Sequence, residues 1–206
     1  MVPVIHAVTT DEIVARPGFV DRAAGVMRAL GARGAVQVRA PRTGGAKLYA
    51  LVRTLAELQG NAGAWLVVTD RVDVALATGA RAVQLTSRSI GVADAMGIAP
   101  GLAIGASVHS LAEARAAVEA RATWLVAGQL KDERRGLVGP RALREMVAES
   151  RVPVVVIGGV TPGHVRGLCG LGVHGVAAIR GIWEAESAEA AAHSYLAAYD
   201  EAGATR

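Results

Sequence analysis

Cysteine is nearly absent from this chain. Cys169 stands alone, so no intrachain disulfide is possible, and its apolar helical surroundings suit packing in a protein of the reducing cytoplasm. Aromatic residues make up only 3% of the sequence, too few for the stacking platforms of single-stranded nucleic-acid binding, so no nucleic-acid partner is expected. Lysine is scarce too. Of 22 basic residues only Lys47 and Lys131 are lysine, and the arginines are scattered along helices rather than gathered into a nucleic-acid surface. The net charge of +4 still favours an anionic small molecule. No apolar run is long and uncharged enough to span a membrane, and the opening Met1-Val2-Pro3-Val4-Ile5-His6 lacks the basic and apolar regions of a signal peptide, so no membrane association is expected.

What remains is aliphatic and periodic. Hydrophobic residues make up 52% of the 206 positions, mostly Ala, Val, Leu and Ile. Short apolar runs suited to strands buried on both faces begin near Val4, Ala35, Trp65, Ala82, Ala103, Trp124, Val154 and Gly175. Helical patterns follow over 19–30, 46–58, 72–77, 90–96, 111–120, 140–149, 164–171 and 188–199. Eight such repeats without a linker predict one α/β domain over 1–206, a (β/α)8 TIM barrel with an aliphatic core. Apolar patches on the Ala-rich last helix suit a homodimer.

The organising stretch is Val154-Val155-Val156-Ile157-Gly158-Gly159-Val160-Thr161-Pro162, echoed by Gly175-Val176-Ala177-Ala178-Ile179-Arg180-Gly181-Ile182. Each run hands a buried strand to a compact turn. Thr161-Pro162 reads as a helix start, with the helix's free N–H groups facing the turn. Two such turns in succession predict a phosphate site after the seventh and eighth strands, on Gly158, Gly159, Ile179 and Arg180.

Catalytic groups of such barrels sit at the C-terminal strand ends. Here those ends carry Thr9 and Thr10, Gln37 and Arg39, Thr69 and Asp70, Gln84 and Thr86, Ser107 and His109, and Gln129. Polar groups over an aliphatic core cost desolvation unless they have partners or a task. We therefore expect Gln37, Arg39, Thr69, Gln84 and Ser107 to bind substrate, with Arg39 clamping an anion or pairing with Asp70. Asp70 and Asp73 stand apart from any His or Cys set, so the residues suggest no metal site. No cofactor motif, catalytic triad or Walker-type loop is present.

Across essentially the whole chain, His6-Ala7-Val8-Thr9, Val36-Gln37-Val38-Arg39, Thr69-Asp70-Arg71-Val72-Asp73, Val83-Gln84-Leu85, Ser107-Val108-His109-Ser110 and Ile157-Gly158-Gly159-Val160-Thr161-Pro162 resemble the thiamine phosphate synthase superfamily, and within it the TenI-like thiazole tautomerase branch. The resemblance implies a barrel of thiamine biosynthesis that binds a phosphorylated thiazole. In the synthases, a pyrimidine diphosphate is joined to the thiazole phosphate and diphosphate leaves, with magnesium neutralising its charge. Their first metal aspartate falls at Arg71 here and their second at or near Ser89. The lysine after their Gln-x-Arg motif is Pro41, and their phosphate loop after the sixth strand has become Gln129-Leu130-Lys131-Asp132-Glu133-Arg134-Arg135.

These departures point to the tautomerase branch, an isomerase activity that moves one proton off a carboxythiazole phosphate and another on. That branch implies a histidine base after the glycine ending the sixth strand, where this chain has Gln129. Glutamine orients a ring but exchanges no proton. His109, just past the fifth strand, is then the alternative base beside Gln129. The alternatives are a thiamine phosphate synthase, a non-catalytic binder of the phosphate ligand, or a barrel for another phosphorylated metabolite.

Overall fold

The computed structural model describes residues 1–128 and 140–204, the Pro140 side chain excepted. Eight parallel strands close into a barrel in sequence order: β1 (Ile5–Val8), β2 (Gly34–Val38), β3 (Trp65–Thr69), β4 (Ala82–Leu85), β5 (Ala103–Val108), β6 (Trp124–Gly128), β7 (Val154–Ile157) and β8 (Gly175–Ala178). All eight fall where the apolar runs predict. Among the described residues the helices are α1 (Asp11–Val14), α2 (Phe19–Leu30), α3 (Gly45–Ala62), α4 (Val72–Thr78), α5 (Val92–Ile98), α6 (Leu111–Glu119), α7 (Pro140–Glu149), α8 (Pro162–Gly170), α9 (Arg180–Trp183) and α10 (Ala188–Gly203).

Two of these were not anticipated. Both α1 and α9 have four residues, barely one turn, and no apolar period can be read in so short a run. The fifth helix starts two residues later than the pattern suggests, at Val92 rather than 90, because Gly91 occupies its N-cap.

Alternation along the strands divides the core in two. Ile5, Ala7, Val36, Val38, Leu66 and Val68 point outward to the helices. Val8, Ala35, Trp65, Val67, Ala82, Trp124, Val126, Val155 and Ala177 fill the interior. Gly105 on β5 lies beside both Gln84 of β4 and Trp124 of β6, and a methyl at Gly105 would overlap the Trp124 ring and Gln84 Oε1. The missing side chain therefore makes room for the Trp124 indole in the barrel interior. His6 also points inward, its ring 6.1 Å from that of Trp124. It is fully buried, and burial pushes its pKa down to about 4.

The last helix, α10, packs against α2 and α8, burying Ala188, Ala192, Tyr195 and Ala202. Its apolar stripe is therefore covered by neighbouring helices of the same chain, and the homodimer that the stripe suggested has no support from this face. No helix among the described residues is long and apolar enough to cross a membrane.

Candidate active site

Strand register brings the polar residues of the expected site to one level at the C-terminal mouth. Gln37 on β2 donates from Nε2 to Thr69 Oγ1 on β3 at 3.1 Å, and Gln84 on β4 donates from Nε2 to Ser107 Oγ on β5 at 3.0 Å. Gln37, Thr69 and Gln84 are buried and Ser107 is half-buried. Two amide–hydroxyl pairs thus floor the mouth, each fixing the orientation of a side chain that a ligand would meet. At β1, Thr9 Oγ1 accepts from the Arg39 backbone N–H at 3.0 Å, which anchors the start of the loop after β2. Thr10 caps α1, accepting from the Ile13 N–H.

The phosphate turns stand side by side because Ile157 and Ala177 are partners in the β7–β8 ladder. Gly158 and Gly159 have φ of 119° and 61°, both in the region that glycine enters without strain, so β7 can turn sharply into the approach to α8. After β8, Ile179 is the N-cap of α9 and Arg180 its first residue, which leaves the Arg180 and Gly181 N–H groups without intrahelical acceptors. The structure therefore brings all four expected phosphate-site residues together. Arg180 is exposed.

Three side chains brace these turns from behind. The Tyr195 hydroxyl, from α10, donates to the Val160 carbonyl at 2.7 Å and also packs against Gly181, so one phenol touches both turns. Its pKa is raised by burial. Arg16 and Arg22 both donate to the Trp183 carbonyl, at 3.2 and 3.1 Å, and hold the far end of α9. None of the three is visible from local pattern, because each reaches its partner across a long stretch of chain.

His164 closes the first turn of α8, its Nδ1 accepting from the Thr161 N–H at 3.2 Å. His174 is half-buried with Nε2 2.9 Å from the Val2 carbonyl.

His109 is exposed just past β5. Its backbone N–H donates to Glu113 Oε2 at 2.7 Å, and its Nδ1 lies 3.3 Å from the same oxygen. Ser110 caps α6 by accepting from the Glu113 N–H, so Glu113 returns the bond one residue further back than in an ordinary capping box. The structure does not pair His109 with Ser107. Gln129, the other residue expected at the proton transfer, and the run 131–135 lie outside the described residues.

The expected Arg39–Asp70 ion pair is not formed. Asp70 sits at φ 61°, and its carboxylate accepts from the Thr86 N–H at 2.7 Å and Thr86 Oγ1 at 2.8 Å. Arg39 instead lines a cleft of about 300 Å³ with Thr43, Thr69, Asp70, Arg71 and Arg88, over the ends of β2 to β4. Arg71 is held by Asp73 through two bonds, Nε to Oδ1 at 2.8 Å and Nη2 to Oδ2 at 2.6 Å. That pairing holds the Asp73 carboxyl below its usual range. A larger cleft of about 380 Å³ lies between α6 and α7 on the outer wall, around Leu125 and Met146 and away from the strand ends.

A family profile described as thiamine monophosphate synthase matches residues 5–182. The chain belongs to that family. A thiamine-phosphate synthase of Pyrococcus furiosus is 38% identical over 157 residues, 74% of this chain and 75% of its own length. One from Methanoculleus marisnigri is 36% identical over 194 residues, 91% of either chain. Among solved structures, a thiamine phosphate pyrophosphorylase from Pyrococcus furiosus superposes with a TM-score of 0.87 at 32% identity, covering 97% of this chain and 96% of its own. Family membership agrees with the resemblance read from the sequence, but these relatives carry the synthase name and lend the tautomerase branch no support.

Proposed function

We propose that this chain is a thiamine-phosphate synthase that joins a pyrimidine diphosphate to a thiazole phosphate and releases diphosphate. The observation that carries the reading is the placement of two anion-receptive regions across one polar floor. On one side stand the glycine turn after β7 and the start of α9; on the other is the cleft lined by Arg39, Arg71 and Arg88. Between them lie the Gln37–Thr69 and Gln84–Ser107 pairs. In this reading the thiazole phosphate takes the turns, its ring lies over the two glutamines, and the leaving diphosphate faces the arginines. As the bond to the thiazole forms, the bond to diphosphate breaks, and fixed guanidinium donors meet the charge that develops. The names of the relatives support this reading. The test is a turnover assay with both substrates together and each alone: thiamine phosphate forms only from the pair, and its absence rejects the proposal.

A second reading, the thiazole tautomerase, is favoured by the His109–Glu113 contact, since a carboxylate beside Nδ1 orients an imidazole as a base. Its test is aromatisation of the carboxythiazole phosphate tautomer in heavy water, followed by proton NMR. An accelerated rate lost in His109→Asn supports it; binding without turnover in either assay identifies a non-catalytic binder.

A further inference from the structure

The family's divalent metal does not fit the residues present at its expected place. Arg71 puts a cation where the resemblance places the first metal aspartate, and Ser89 puts a neutral hydroxyl at or near the second. Asp70, the carboxylate that lines the cleft, already accepts from both donors of Thr86, and neighbouring Asp73 is engaged by both sides of the Arg71 fork. Among the described residues no group of three or more His, Cys, Asp or Glu could hold a metal ion. A divalent cation entering here would meet three guanidinium groups and no uncommitted carboxylate.

An anion meets the opposite situation. Neither Arg39 nor Arg88 has a carboxylate partner among the described residues, and both line the same cleft as Arg71. The Arg71–Asp73 bonds use two of five guanidinium N–H donors and fix the plane of the group, leaving the others free. The Arg71 Nη1 atom comes within 3.6 Å of where a Cβ on Gly45 would stand, at the first residue of α3. Gly44, the N-cap of that 18-residue helix, offers no side-chain acceptor, so the first N–H groups of α3 lie beside the guanidinium. Thr69 adds a hydroxyl to the wall, whose proton is left free because its oxygen accepts from Gln37, whereas the Thr43 hydroxyl is committed to Asp11 Oδ1 at 2.9 Å. Donors from the ends of β3 and α3 and from the loops after β2, β3 and β4 therefore converge without a metal among them.

We infer that this cleft binds diphosphate without a divalent cation, the fixed charges of Arg39, Arg71 and Arg88 taking the place of metal. The inference rests on the proposed synthase reading for the source of the diphosphate, but the binding itself does not. Planar guanidinium groups hold phosphate oxygens through paired N–H donors, and they need no acidic cage.

The experiment is titration calorimetry of the purified chain with inorganic diphosphate, in EDTA and again with magnesium. We expect saturable binding in EDTA that magnesium strengthens by no more than about twofold. Arg88→Ala, an exposed position whose loss leaves the fold intact by circular dichroism, weakens it about tenfold or more, the range of a charge-assisted contact. Arg71→Gln weakens it similarly, whereas Arg53→Ala on the exposed face of α3 has no effect. Binding seen only with magnesium, or binding in EDTA unchanged by both cleft variants, overturns the inference. If diphosphate binds in EDTA but no thiamine phosphate forms from the two substrates, this inference stands and the synthase reading falls. If turnover requires magnesium strictly and EDTA abolishes diphosphate binding, the reverse holds.

Discussion

Gln84 and Ser107 meet across the β4–β5 ladder, the glutamine's Nε2 donating to the serine hydroxyl at 3.0 Å while its Oε1 turns towards Gly105 and the Trp124 indole. Replacing Ser107 by alanine leaves a buried amide donor with only the weaker 3.3 Å contact to the Leu85 carbonyl. We expect about 1–3 kcal/mol of lost stability by urea unfolding, and a raised KM for the thiazole substrate because the floor of the site loses its fixed donor. An unchanged midpoint would show that the pair is not formed in solution.

Gly105→Ala should be worse than its single methyl suggests. The new carbon overlaps both the Trp124 ring and Gln84 Oε1, neither of which has room to retreat in a filled barrel. About 1–3 kcal/mol of destabilisation is expected from overpacking, read as a lower melting temperature. A variant as stable as the parent would contradict the packing described.

The pH dependence of stability should carry a signature of His6. Its folded pKa is about 4 against an ordinary 6.5, so above pH 6.5 neither state binds the proton. As pH falls from 6.5 towards 4, the unfolded chain takes up a proton that the folded chain refuses, and stability is lost. The loss reaches about 3 kcal/mol near pH 4. His6→Met should flatten that part of the profile when unfolding free energies are compared at about pH 7.5 and about pH 4.5. Equal slopes for parent and variant would mean that His6 titrates normally.

Tyr195 touches both of the turns proposed to hold the phosphate, through the Val160 carbonyl and Gly181. Tyr195→Phe removes the bond to the Val160 carbonyl, at a cost of about 0.5–1.5 kcal/mol in stability. Because the phenol positions the turn, KM for the thiazole phosphate should rise while kcat with saturating substrate changes little. Were the role purely structural, stability would fall and KM would not move.

Much of this arrangement could be read from residues in order, and the physical reason is burial. A parallel strand covered on both faces leaves a continuous apolar run such as Val154-Val155-Val156-Ile157, and the turn after it shows as Gly158-Gly159. The glycine turn after β7 was legible for that reason. The arginine cleft was not, because Arg39, Arg71 and Arg88 come from three loops and only the closed barrel gathers them. Nor was the fate of Asp70 legible. Its left-handed backbone turns the carboxylate to Thr86, sixteen residues on, and away from Arg39. His109 drew attention as a base because strand ends carry catalysis, yet its nearest partner belongs to the start of α6.

Phosphorus NMR of the purified chain with the pyrimidine diphosphate and the thiazole phosphate bears most directly on the central claim. The account predicts a free diphosphate resonance that grows in step with thiamine phosphate and is absent when either substrate is omitted. Unchanged substrate resonances over many hours, from a folded protein that binds both compounds, would contradict it.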